Sequence, residues 1–116
     1  MVNIKLNIMG DATLGEFEEV IMLTVAILGA DAYTMSIIDE LHSRTGRKAS
    51  VGGVQTVLKR LEDKGLLKSE FGEATSIRGG KRKRYYHVTP AGKTAMQYSR
   101  DQRMNLWKAI PKTAFN

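Results

Sequence analysis

A chain of 116 residues with 42% hydrophobic and 26% charged residues has room for one domain around one modest core and is too short for two. It has no cysteine, which removes a disulfide framework, a zinc ribbon and a thiol nucleophile; two prolines and no internal repeat argue against a disordered chain or a solenoid. The net charge of +6 is unevenly placed: one lysine against seven acids gives −6 in residues 1 to 43, twelve cations against four acids give +8 in 44 to 84, and five against one give +4 in 85 to 116. The middle third is therefore the expected contact surface for a polyanion.

Residues 1 to 13 show a brief alternation at Val2, Ile4, Leu6 and Ile8 that fits a short strand or a frayed tail equally well, and this arm takes no assignment. At Thr13-Leu14-Gly15-Glu16 the Thr-x-x-Glu order predicts a capping box opening a helix. Apolar positions then recur at Phe17, Val20, Ile21, Thr24, Val25, Ile27 and Leu28 until Gly29 stops the run, so this helix is expected to be buried on more than one side. The longest apolar run, Val20 to Ala30, is far short of the roughly 20 residues of a membrane span. Neither a signal peptide nor a membrane anchor is expected, and the missing cysteines suit a cytoplasmic protein.

A second helix fits Thr34 to Arg44, with Met35, Ile37, Ile38 and Leu41 inward and Gly46 as its stop. After the polar turn Gly46-Arg47-Lys48-Ala49, Ser50 is suited to cap a third helix whose core side is Val54, Val57, Leu58 and Leu61 and which Gly65 closes. At 100° per residue its other side presents Gly52, Thr56, Lys59 and Asp63, flanked by Gln55 and Arg60, with no large apolar residue and two glycines in the first turn. A bare first turn with cations one turn further along is what a recognition helix needs to enter a DNA major groove.

Leu66 to Phe71 and Lys83 to Thr89 read as two strands of a hairpin, the first with Leu67, Ser69 and Phe71 on one side, the second with Tyr86 and Val88 inward. Between them the stretch "RGGKRKRYY" gathers Arg78, Lys81, Arg82, Lys83 and Arg84 around two glycines. Their mutual repulsion is relieved only by an external polyanion, so these five are expected phosphate contacts. Tyr86 is expected in the core, and Tyr85 near phosphate or as amphipathic cover. Thr89 and Pro90, cap and first-turn proline, open a last helix to about Ile110, which Pro111 ends.

The fold class is mainly α with a small β-hairpin: a winged helix-turn-helix of three helices and a two-stranded wing over 14–89, a C-terminal dimerisation helix over 90–110 and a tail over 111–116. The expected DNA contacts are Lys48, Ser50, Gly52, Gly53, Gln55, Thr56, Lys59 and Arg60 with the five wing cations. Trp107, with Met104 and Ile110 at helical spacing, is too large to leave in water and points to a dimer face, or to a ligand stacked inside one. Phe17, Ile21 and Met96 are expected to complete that face. His42 and His87 have no partner at metal-ligand spacing, no cofactor is expected, and no triad, P-loop or converging carboxylates suggest an enzyme.

Three segments carry a family resemblance. "LGEFEEVIMLTVAILGADAY" (14–33), "RTGRKASVGGVQTVLKRLEDKGLL" (44–67) and "RGGKRKRYYHVTPAG" (78–92) resemble, in order, the first helix, the recognition helix and the wing of the PadR-like bacterial transcriptional regulators. Thr34 and Gln55 depart from the family pattern, which usually has Gly and Tyr there. The resemblance implies a homodimer built from the first and last helices, which binds an inverted-repeat operator in double-stranded DNA, represses transcription and, in some members, releases DNA on binding a small-molecule effector. The alternative is a protein-interaction adapter that keeps the winged fold without DNA binding.

Overall fold

The structure, a computed structural model, describes residues 13–73 and 82–116. The N-terminal arm up to residue 12, and Arg78 and Lys81 of the expected wing contacts, lie outside the described residues.

Helix α1 spans Glu16–Leu28 and its N-cap is Gly15, whose N–H donates to Glu18 Oε1 at 2.8 Å. The box expected at Thr13 and Glu16 is thus displaced by two residues. Glu16 pairs with Arg47 at 2.7 Å, across the fold. Helix α2 (Thr34–Thr45) ends at Gly46 in the left-handed region, and α3 (Val51–Asp63) opens on Ser50, whose hydroxyl accepts the Gly53 N–H at 3.0 Å. Strands β1 (Leu67–Phe71) and β2 (Arg84–Val88) pair antiparallel from Leu67↔Val88 to Phe71↔Arg84. On its other edge β2 is tied to the turn after α1, where Tyr86 N–H donates to the Ala32 carbonyl at 2.8 Å.

Each element gives one apolar stripe to a shared core: Ile21, Met22 and Val25 of α1, Ile37 and Leu41 of α2, Val54, Leu58 and Leu61 of α3, then Leu66, Leu67 and Tyr86. Burial pushes the Tyr86 phenol up. The expected winged helix-turn-helix is the observed fold, with helices α1, α2 and α3, a two-stranded wing and a last helix. No single helix among the described residues is long and apolar enough to cross a membrane.

Helix α4 (Pro90–Ala109) is locked to the wing by Thr89, whose hydroxyl accepts the Gly92 N–H at 3.0 Å and donates to the Gly65 carbonyl at 2.7 Å. Gly92 is required by close approach: a Cβ there would lie 2.1 Å from the Leu66 carbonyl oxygen and 2.9 Å from Met22 Cε. The helix is buried only as far as Ser99, and every residue from Arg100 onward is exposed, so its second half projects from the body. Beyond it the expected tail forms a 3-10 turn at Lys112–Phe115.

Two expectations of side-chain direction are corrected: Ile27 and Met35, expected inward, are 52% and 48% exposed. Helix α1 is apolar almost all round, so its pattern does not reveal which side meets its own core. In the structure Leu23, Ala26 and Ile27 form an open side.

Candidate nucleic-acid interface

Gly52, Gly53, Gln55, Thr56, Lys59 and Arg60 are all exposed, so α3 offers solvent one continuous polar face opposite Val54, Val57, Leu58 and Leu61. Its two glycines have different reasons to be there. A Cβ on Gly53 would sit 2.9 Å from Ser50 Oγ and disturb the cap, whereas a Cβ on Gly52 would meet nothing within 4 Å. Gly52 has ordinary helical backbone and no positive φ. Nothing among the described residues accounts for it, although glycine at a helical position costs about 0.5 to 1 kcal/mol relative to alanine. Along the same face Thr56 Oγ1 donates to the Gly52 carbonyl at 2.9 Å, and Lys59 Nζ stands 3.4 Å from Asp63.

The wing lies along one flank of this face. Gln55 of α3, Tyr33, Thr34 and Met35 at the start of α2, and Arg82, Lys83 and Arg84 of the wing line a single cleft of about 410 Å³. Two of these cations are held by aromatic rings: Lys83 Nζ lies 4.2 Å from the centroid of Tyr33, and the Arg84 guanidinium 4.1 Å from that of Phe71. Arg84 Nη1 also donates to Ser69 Oγ at 2.7 Å, and the Ser69 hydroxyl donates to Glu62 on α3, so the wing root is fixed to the helix. Tyr85 meets Tyr33 edge-on at 5.6 Å. Half-buried, it closes the wing base, with its ring where a Cβ on Gly72 would fall, 2.5 Å away.

The opposite flank is built from ion pairs to α1. Arg47 donates to both oxygens of Glu16 and lies 4.7 Å over the Phe17 ring; its hydrogen bond is the main reason the Glu16 carboxyl is held below its ordinary value. Burial pushes Glu18 up, but the Gly15 N–H and the Lys64 ammonium at 3.0 Å outweigh it, and with Arg60 nearby they hold that carboxyl low. Arg60 therefore stands on the α1 side of the polar face and Gln55 on the wing side. Lys48 and Ser50 are exposed in the turn before α3.

A second surface lies between α1 and α4. Glu19, Leu23, Met96, Met104 and Trp107 line an open, mainly apolar hollow of about 420 Å³, rimmed by Lys93, Arg100 and Arg103. Glu19 is buried and pairs with Arg103, whose own proton affinity rises chiefly through that hydrogen bond. Met104 and Trp107 are 47% and 61% exposed, and Ile110 lies at the far end of α4. Ile21, expected on this face, is fully enclosed in the protomer's own core, and Leu23 stands on the open side in its place. Phe17 is half-buried under Arg47 on another side of α1, away from the hollow.

Composition patterning missed several contributors. Tyr33, Thr34 and Met35 precede or open α2 and enter the cleft only because the wing folds back beside them. Val51, which the sequence pattern assigns to neither side, is exposed on the first turn of α3. Among the described residues no group of three His, Cys, Asp or Glu side chains is placed to hold a metal, and His87 instead faces Glu70 across the wing at 3.1 Å.

The model of the transcriptional regulator PadR-like family matches residues 22–98. A PadR-like transcription factor from Bacteroides fragilis superposes with a TM-score of 0.67 at 26% identity, covering 79% of this chain and 84% of the other. A PadR family transcription regulator from Clostridium difficile R20291 gives 0.62 at 28% identity, with coverage of 77% and 91%. A transcriptional regulator from Clostridium thermocellum gives 0.67 at 25% identity, with coverage of 84% and 91%. No curated protein matches the chain.

Proposed function

The chain belongs to the PadR-like family of transcriptional regulators, and we propose that it acts as a homodimeric repressor in which each protomer lays α3 in the major groove of an inverted-repeat operator. DNA binding is the family's activity; the dimer, the repression and the individual contacts are the proposal. The observation that carries it is the cleft in which Gln55 of α3 and Arg82, Lys83 and Arg84 of the wing face the same space. Recognition helix and wing thus face one space, which supports their contacting a backbone and the groove beside it together.

In this reading Gly52 and Gly53 let the groove edge approach, Gln55, Thr56 and Lys59 reach base edges, and Lys48, Ser50 and Arg60 meet phosphate. The wing, including Arg78 and Lys81, follows the backbone. Helix α4 pairs with that of a second copy through Met96, Met104, Trp107 and Ile110, and Leu23 of α1 joins them. A symmetric pair of this kind recognises half-sites centred roughly 34 to 36 Å apart. The hollow beside Trp107 gives a small effector a place from which to alter the angle between the two α3 helices.

Selection of bound fragments from random DNA, with the full chain, tests this directly. An enriched inverted repeat with that spacing is expected. Enrichment of a single half-site, or of none, would overturn the symmetric reading.

A further inference from the structure

We infer that the Val51–Gln55 side of α3 reads an A·T-containing step, Gln55 pairing with adenine and Val51 covering the methyl of a neighbouring thymine; this deepens the DNA-binding reading and rests on it. Several groups on the polar face already have partners inside the protomer. The Thr56 hydroxyl is bonded to the Gly52 carbonyl, and Lys59 is near Asp63. Ser50 caps the helix, and Arg60, an exposed cation, has no acceptor to offer beside its donors. Gln55 is exposed, and its carboxamide has no hydrogen-bond partner among the described residues.

A carboxamide offers one donor and one acceptor side by side. In the major groove adenine is the base that presents an acceptor, N7, beside a donor, the N6 amino group, and glutamine spans both. Guanine presents two acceptors there and suits a cation; cytosine presents a donor and suits a carboxylate. The only long side chain on the wing flank of α3 that is neutral and unengaged therefore matches adenine.

Val51 supplies the second half. It is 44% exposed, whereas Val54 and Val57 of the same helix are 0% and 6% exposed. It precedes Gln55 by four residues, so the two side chains are neighbours on one face, about 5 to 6 Å apart at Cβ. An apolar β-branched group beside the adenine reader, in a turn where Gly52 leaves open space, fits the 5-methyl of thymine.

The test uses the full chain and the operator it selects. One position of each half-site should be fixed as A·T. Replacing that adenine by purine, which lacks the N6 amino group, should weaken binding about 5- to 150-fold. Replacing the neighbouring thymine by uracil should weaken it about 4-fold. Gln55→Ala should flatten the preference at the adenine position, and Gln55→Glu should move it toward cytosine. Val51→Ala should abolish the uracil effect while leaving the adenine preference in place. Identical base preferences for the parent and Gln55→Ala, or a fixed G·C at the position Gln55 controls, would overturn the inference while leaving DNA binding intact. Failure to retain any DNA at low salt would instead remove the underlying reading and the inference with it.

Discussion

Gly52 separates folding from function more sharply than any other residue of α3. Because a Cβ at that position meets nothing within 4 Å and its φ is not positive, Gly52→Ala should stabilise the protein. Removing glycine's backbone freedom from a helical position is worth about 0.5 to 1 kcal/mol, which for a domain of this size raises Tm by about 2 to 8 °C. Gly53→Ala is the control: its Cβ would lie 2.9 Å from Ser50 Oγ, so the hydroxyl must swing away and the lost cap, about 1 kcal/mol, offsets the helix gain. Binding should move the other way. Gly52→Leu still has open space inside the protomer, but in both half-sites it would press on the groove edge; a steric penalty of about 1 kcal/mol in each weakens operator binding by roughly 30-fold. Thermal unfolding by circular dichroism at fixed protein concentration and anisotropy titration with operator DNA give the two readouts. A Gly52→Leu protein that binds as tightly as its parent would refute the argument that the bare turn serves an external surface.

If helix and wing together neutralise about six phosphates per dimer, log affinity should fall with log salt at a slope near −5, and a flat titration would remove the electrostatic account. The double change Lys59→Glu with Arg60→Glu should abolish operator binding while size-exclusion still shows a dimer, since both side chains are exposed and neither lines the α1–α4 hollow. Trp107→Ala should shift the protein toward monomer in sedimentation velocity and lower operator affinity in parallel; an unchanged dimer would place the interface elsewhere. Glu18 is held below its ordinary value of 4.5 in the folded state, so it contributes stability above that value that is lost as pH falls through the lower folded value. Lys64→Met leaves burial as the leading influence on Glu18, and its Tm should begin to fall at a higher pH than the parent's; superimposable Tm–pH curves would contradict the assignment of that pairing.

Helix order, the Ser50 cap, the core stripe of α3 and the Thr89–Pro90 opening of α4 are legible in the sequence because each depends on neighbours within one turn. What failed depended on distant partners. Glu16 left its expected cap for Arg47, thirty-one residues away, and Glu18 took the role. Ile21 and Leu23 carry equally apolar side chains, and only packing against α2 and α3 decides which of them faces inward. The α3 half of the candidate interface was legible as a cluster of polar positions opposite an apolar stripe. Its α2 contribution was not, because Tyr33, Thr34 and Met35 join the cleft through the return of β2 beside the turn after α1.

The wing raises the question of how a hairpin tolerates so many like charges before any polyanion arrives. Two of its described cations rest on the faces of Tyr33 and Phe71, and one of them also donates to Ser69. Cation–ring contacts of this kind contribute on the order of 0.5 to 1 kcal/mol at exposed sites, comparable with the repulsion between neighbouring exposed charges, and they leave each charge facing outward. The residues that fix the wing root, Thr89, Gly92, Ser69 and Glu62, are all engaged within the protomer. Among the described residues the Gln55 carboxamide has no partner and a Cβ on Gly52 would meet nothing within 4 Å, and Arg82 completes the cleft beside Gln55. A protein-interaction adapter would need the winged scaffold, whereas the proposed operator complex gives both the bare turn at Gly52 and the exposed Gln55 carboxamide a use. In the proposed complex the first admits a rigid groove and the second reads it.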